Sequence, residues 1–288
     1  MATATVIRSA GIELAYEAVG DPADPPVVLV AGLGAQLVSW RAEFCRALAD
    51  RGYHVVRFDN RDVGLSTKFP DGGYAVADMA HDLASFIDAL SFGSAHIVGQ
   101  SLGGLIAQAL VVRDPGRVRS LCLISSISNL SHLGPAAAAM ATPDPPAWDR
   151  DAAVEQCIAR ESLLASPDYP LDAAWIREQG GLMWDRGWNP QGTAHQLDAI
   201  IRAPDYAPDL RSVAVPTLVI HGQADPLVSP AGGRALAEAI PGAELHMFPG
   251  MGHDLPSALW REIIDLIAAN AARGRAHFLD SRDLIGDE

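Results

Sequence analysis

Ser101 sits among glycines in Gly99-Gln100-Ser101-Leu102-Gly103, directly after the apolar stretch Ala95-His96-Ile97-Val98 and before a run that reads as a helix. A serine on a sharp turn between a buried strand and a helix projects its hydroxyl from the sheet, as an acyl-transfer nucleophile must. Glycine suits the flanking positions because a Cβ there would crowd the turn and the neighbouring strands. The helix directs its positive end and free amides towards the serine, where they favour a developing oxyanion. A bare G-x-S-x-G is common by chance; its placement between strand and helix is what gives it meaning.

A serine hydroxyl is a weak nucleophile at neutral pH and needs a base within hydrogen-bond reach. Among nine histidines, His253 stands out because Pro249-Gly250-Met251-Gly252-His253 follows the last strand-like segment, and its glycines let the ring reach across the sheet top. His221 ends a strand and His246 lies within one, so both read as packing or surface residues. His54, His81, His96, His132 and His195 have no comparable loop.

The base needs a carboxylate to hold its tautomer and stabilise the imidazolium. Asp225 follows the strand-like TLVI and precedes a helix, which suits it to that role. Asp254 adjoins the histidine in sequence, but adjacent side chains diverge, so it reads as a solvated loop acid. Backbone amides complete the set: that of Leu102, the residue after the nucleophile, and that of Leu33 in Ala31-Gly32-Leu33-Gly34. No metal site is evident and no G-x-G-x-x-G or Walker-type loop asks for a nucleotide, so no cofactor is expected.

These residues need a scaffold, and the chain supplies strand and helix in turn. TATVIRS and IELAYEAV read as two strands turning at Ala10-Gly11. PVVLV, HVVRFD, AHIVG, SLCLISS, PTLVIHG and AELHMFP read as later strands, mostly of the buried type. Helices are expected at 41–51, 76–90, 102–113, near 232–240 and from about Pro256 to Ala272, with a polar, loosely held tail beyond. Such alternation implies a mostly parallel central sheet with helices on both faces.

Residues 127–210 break the rhythm. They carry alanine runs, many prolines and four of the six tryptophans, with helices expected at 149–165 and 171–184 and no buried strand. The reading is an α/β core of 1–126 and 211–288 with a helical cap, 127–210, inserted over Ser101. Amphipathic aromatic rings suit a flat, hydrophobic substrate, and Trp184 and Trp188 are the expected contacts.

Together these residues resemble the α/β-hydrolase fold family over nearly the whole chain, and the order Ser101, Asp225, His253 is the order that fold uses. Asp59-Asn60-Arg61-Asp62-Val63-Gly64-Leu65-Ser66 looks like the family's loop after the strand preceding the elbow helix, with Arg61 and Asp59 tying it down. Ala31 stands where many members carry histidine, which leaves the amide donors untouched. GDPADP, the NRDVGLST loop, VPTLVI and PGMGHDLP are similar to the aclacinomycin methylesterase group. That resemblance implies removal of a methyl ester from an aromatic polyketide.

Composition bounds the remaining choices. The 288 residues include 21 basic and 35 acidic side chains, a formal net charge of −14, which disfavours nucleic acid and anionic membranes as partners. Cys45, Cys122 and Cys157 form no close pair. The start MATATVIRSAGIEL lacks the basic region and long apolar run of a signal peptide, and no segment offers the roughly 20 apolar residues that span a bilayer. A cytoplasmic enzyme acting on a small molecule is the expectation, with its oligomeric state open. Carboxylic ester hydrolysis comes first; lactone, thioester or carbon–carbon hydrolysis, cofactor-free perhydrolysis and a non-catalytic receptor on the same scaffold stay open.

Overall fold

Val27 to Val30, Val55, Val56, Ile97, Val98, Leu121 to Ile124 and Leu218 to Ile220 leave no polar face for water, so their strands must be covered on both sides. The computed structural model describes residues 5–9, 11–141 and 147–283, with side chains as far as 275. Thr3, Ala4 and Ala10 of the expected hairpin, five residues of the expected cap and the last five of the tail lie outside the described residues.

The strands are β1 (Thr5–Ser9), β2 (Ile12–Val19), β3 (Pro26–Val30), β4 (His54–Phe58), β5 (Ala95–Gln100), β6 (Val118–Ile124), β7 (Thr217–Gly222) and β8 (Glu244–Phe248). They form one eight-stranded sheet in the order β1-β2-β4-β3-β5-β6-β7-β8. The pairs β1/β2 and β2/β4 are antiparallel and every later pair is parallel. Strand order reverses at β3, which lies between β4 and β5. Loops leaving the ends of β3 and β5 therefore part to opposite faces and open a crevice there.

Among the described residues ten α-helices accompany the sheet: α1 (Ala42–Ala49), α2 (Val76–Ala89), α3 (Leu102–Arg113), α4 (Ala137–Met140), α5 (Arg150–Leu164), α6 (Ala173–Asp185), α7 (Pro190–Ile201), α8 (Ala207–Leu210), α9 (Pro230–Ala239) and α10 (Trp260–Asp283). Side-chain alternation sorts the core into two layers. Val28, Val56, Ile97 and Leu121 face α2, α3 and α9 through Leu83, Ile106 and Leu236. Val27, Val55, Val98 and Leu218 face α1 and α10 through Phe44, Leu48 and Ile263. Helix α10 runs on past Ala272 instead of giving way to a loose tail, since no proline interrupts it. Gly274 lies so close to the sheet that a Cβ would come 2.3 Å from the Arg119 carbonyl oxygen.

Between β6 and β7 the described residues contribute helices α4 to α8 and no strand. Asp149 and Asp172 cap α5 and α6, accepting from the amides of Ala152 and Trp175. The two helices approach closely at Gly180, where a Cβ would lie 3.0 Å from both Cys157 Cβ and Val154 Cα. Polar anchors hold the segment to the strands' loops. Arg186 Nη2 lies 2.6 Å from the buried Asp59 Oδ2, Gln36 Nε2 donates to the Met183 carbonyl, and His195 Nδ1 lies 3.1 Å from Asp62 Oδ2. Helix α7 is an addition to the sequence reading. Its signal was present: Pro190 at the first helical position, then Leu197, Ile200 and Ile201 at helical spacing.

Candidate active site

Ser101 occupies the single residue between β5 and α3 with φ 54° and ψ −119°. A non-glycine residue held there costs about 1–3 kcal/mol and persists only if its surroundings enforce it. They do. The Ser101 amide donates to the Ile124 carbonyl at 2.9 Å, and its own carbonyl accepts from Ser126 Oγ and the Gly104 amide, each at 2.9 Å. The glycines are required by close approach: a Cβ on Gly99 would lie 2.3 Å from the Gly103 carbonyl oxygen, and one on Gly103 2.1 Å from that of Val30.

His253 reaches the site from the loop after β8. Its amide donates to the Leu164 carbonyl at 2.9 Å, while Gln100, beside the serine, donates from Nε2 to the His253 carbonyl at 3.1 Å. The loop is thus tied both to α5 and to the elbow. His253 Nδ1 lies 2.8 Å from Asp225 Oδ2. Because the carboxylate only accepts, Nδ1 carries the proton and Nε2 is left with its lone pair.

Asp225 is well supplied with donors. Its Oδ1 accepts the amides of Leu227 and Val228, each at 2.9 Å. Burial pushes this carboxyl's pKa up, but the His253 ring and these hydrogen bonds outweigh it and hold the group below the usual carboxylate range. His221 also lies within 3.5 Å of Asp225 Oδ2 and donates from Nε2 to the Val228 carbonyl at 3.1 Å. Burial lowers its pKa, so it braces the Asp225 turn as a neutral ring. His246, the other strand histidine, makes a half-exposed pair with Glu262.

The loop after β3 brings Gly32 against the serine, where a Cβ would lie 3.3 Å from Ser101 Cβ. The Gly32 carbonyl accepts from the Ala35 amide at 3.2 Å. In a trans peptide N–H and C=O point in opposite directions, so the Leu33 N–H turns away from that bond. Leu102 opens α3, and its N–H has no carbonyl one turn earlier within the helix. Gly32, Leu33, Ser101, Leu102 and His253 line one cavity of about 310 Å³. Asp59 and Arg61 secure the neighbouring loop: Asp59 accepts the Leu37 and Leu65 amides, and Arg61 pairs with Asp82 in two bonds.

The tryptophans require a correction. Those lining the cavity are Trp40, Trp175 and Trp260; Trp188 lines a smaller neighbouring cavity, and Trp184 lines neither. Helical geometry explains the difference. Nine residues separate Trp175 from Trp184, about two and a half turns, so the two rings leave α6 on opposite sides. Arg41 lies between the rings of Trp175 and Trp260, 4.6 and 4.9 Å from their centroids, and bonds Asp172 at 2.7 Å.

Asp254 also departs from expectation. It is half-buried, accepts a hydrogen bond from Ser166, and lines the cavity together with Glu161. Burial raises both carboxyls, and Asp254 raises Glu161 further. Glu161 lies in an α5 stretch of low amphipathicity, and only tertiary packing brings it here. Among the described residues no group of three or more His, Cys, Asp or Glu side chains could hold a metal ion, and no helix is long and apolar enough to cross a membrane.

The chain is similar to known proteins over most of its length. A family model described as alpha/beta hydrolase fold matches residues 25–256. RutD of Variovorax paradoxus (strain S110), provisionally named a carbamate hydrolase, is 31% identical over 271 residues, covering 91% of this chain and 98% of that protein. Rhodomycin D methylesterase DauP of Streptomyces sp. (strain C5) is 28% identical over 284 residues, covering 90% and 95%. In fold, the chain is similar to the meta-cleavage product hydrolase CumD of Pseudomonas fluorescens IP01, with a TM-score of 0.76 at 22% identity, over 93% of this chain and 97% of that one.

Proposed function

The chain belongs to the α/β-hydrolase fold family, and on that premise we propose that it is a serine hydrolase cleaving a carboxylic ester of a small hydrophobic molecule. The observation that carries this reading is the His253 Nδ1 to Asp225 Oδ2 contact of 2.8 Å, on a histidine that shares one cavity with Ser101.

In the proposed reaction Ser101 Oγ attacks the ester carbonyl carbon and its proton passes to His253 Nε2. Asp225 stabilises the resulting imidazolium through Nδ1–H. The Leu33 and Leu102 amides donate hydrogen bonds to the carbonyl oxygen as charge grows on it, where preorganised donors act most strongly. The tetrahedral adduct then collapses, and the alcohol departs with the proton from His253. Water attacks the acyl-enzyme with His253 as base, releasing the acid and restoring the serine.

Trp40, Trp175, Trp260 and Phe44 are among the residues that line the cavity, an aromatic wall that suits a bulky acyl group. An aromatic methyl ester fits this lining, and the similarity to DauP, a rhodomycin D methylesterase, supports it. A carbamate is the second reading, favoured by the RutD likeness; a small one would leave most of this cavity unfilled. On the proposed reading the enzyme works in the cytoplasm, consistent with three buried free thiols.

The test is turnover of a panel, read by mass spectrometry: a polycyclic aromatic methyl ester, p-nitrophenyl acetate, a lactone, a thioester and an aryl carbamate. The aromatic methyl ester should show the highest kcat/KM. Tight binding of these compounds without any turnover would identify a receptor and overturn the proposal.

A further inference from the structure

Gln196 is fully buried although it belongs to helix α7, in the segment between β6 and β7. A buried amide side chain is stable only if its polar atoms are met, and here they are met by two loops of the sheet. Its Oε1 accepts the Gly34 amide at 2.9 Å, and its Nε2 donates to the Arg61 carbonyl at 2.8 Å. Gly34 is the residue after Leu33. It has φ +67°, and α7 presses on it so closely that a Cβ would lie 2.7 Å from Thr193 Oγ1.

The Leu33 amide is therefore bracketed. On one side the Gly32 carbonyl is fixed by the Ala35 amide; on the other the Gly34 amide is fixed by Gln196. Rotation of the Gly32–Leu33 peptide would re-aim the Leu33 N–H, and release of the Gly34 amide would free the next peptide and with it the turn that holds the first in place. The same helix carries Leu197, Ile200 and Ile201 to the cavity wall, one to five residues beyond Gln196. A bulky group bound in the cavity rests on the helix that sets the loop.

We propose that Gln196 is a positioning residue which couples helix α7 to the oxyanion-binding amide of Leu33, so that contacts made by the substrate on α7 act on the rate of acyl transfer as well as on binding. The proposal rests on the serine hydrolase reading above. It explains why a helix outside the sheet sends a fully buried polar side chain into the loop beside the serine.

The test compares Gln196→Met, similar in size but unable to make either bond, with Gln196→Glu, whose neutral acid can accept from Gly34 and donate to Arg61. Four quantities are measured: kcat and KM on p-nitrophenyl butyrate, inhibition by an aryl trifluoromethyl ketone, and inhibition by butyrate. The ketone forms a tetrahedral oxyanion on the serine, whereas butyrate reports ordinary binding. Gln196→Met should lower kcat about ten- to a hundredfold, since loss of a whole oxyanion donor costs about 10²–10³. Its KM and butyrate inhibition should stay within about threefold, and its ketone affinity should fall in step with kcat/KM. Gln196→Glu should recover most of the rate at about pH 6, where a buried acid stays neutral.

Should Gln196→Met not fold, Gln196→Asn, one methylene short of Gly34, carries the same expectation. An unchanged kcat with raised KM would show that α7 serves binding alone. A Glu variant as slow as the Met variant, with matching losses of thermal stability, would reduce Gln196 to packing. An active wild type with an unimpaired Gln196→Met overturns this inference alone. A wild type that neither turns over the ester nor binds the ketone overturns the reading of the site, and the inference with it.

Discussion

Asp225 holds His253 at 2.8 Å through Oδ2 while its Oδ1 takes two backbone amides at 2.9 Å, so the carboxylate cannot rotate without losing three bonds. Asp254, the next residue after His253, turns instead to Ser166. Position in space, and not in sequence, decides which acid serves the histidine. Asp225→Asn should lower kcat on a p-nitrophenyl ester by about 10³–10⁴, the range known when an amide traps the wrong tautomer. Asp254→Asn should lower it no more than about tenfold. Steady-state kinetics of the two variants decide the matter, and a larger loss at Asp254 would reverse the assignment.

Trp175→Ala should raise KM for a bulky aromatic ester about five- to tenfold while changing an acetate ester by less than twofold, since one ring's contact area contributes about 1–1.5 kcal/mol. Trp184→Ala should leave both KM values unchanged, because its ring lies off the cavity. Equal responses from the two variants would mean that α6 affects the site only through stability.

How much of this was legible beforehand depended on the range of the signal. The elbow could be read because its cause is local: strand AHIV, a turn crowded by neighbours, and helix residues in unbroken succession. The contact between His253 and Asp225 was legible because each follows a strand, and strand ends in such a sheet meet on one side. The tryptophans were not. Their number suggested an aromatic pocket, but whether a ring faces it depends on helix phase, which set Trp175 inward and Trp184 outward. Gln196 and Glu161 carry no sequence mark, for a polar residue on a helix at the edge of a domain ordinarily faces water. Only the packing of α7 buries Gln196 and only that of α5 turns Glu161 to the cavity.

Gly103→Ala should destabilise the fold by about 3 kcal/mol or more, because its Cβ would meet backbone that cannot move aside. Gly116→Ala, where nothing lies within 4 Å of the new carbon, should change stability by less than about 0.5 kcal/mol. Urea unfolding of both variants measures the contrast. Comparable midpoints would show that the elbow is less tightly packed against β3 than described.

His96 provides a pH dependence. Burial, then the nearby Arg119 and Arg275 charges, lower its pKa to about 3. An unfolded histidine takes its proton at about pH 6.5, so below that pH the unfolded state binds more protons and folding weakens. The full stability is present above about pH 6.5, and the loss is about 1.4 kcal/mol for each unit of pH down towards 3. Thermal unfolding between about pH 7 and 5 should therefore fall more steeply for the wild type than for His96→Gln. Parallel slopes would mean that His96 is protonated inside the fold.

The central claim is that Ser101 is the activated nucleophile, and covalent labelling with a fluorophosphonate tests it most directly. The wild type should take up one equivalent, found by peptide mass spectrometry on Ser101. Labelling should be lost in Ser101→Ala and slowed at least about a hundredfold in His253→Ala, since the hydroxyl depends on its base. No label on folded wild-type protein, or a label on a peptide lacking Ser101, would contradict the account.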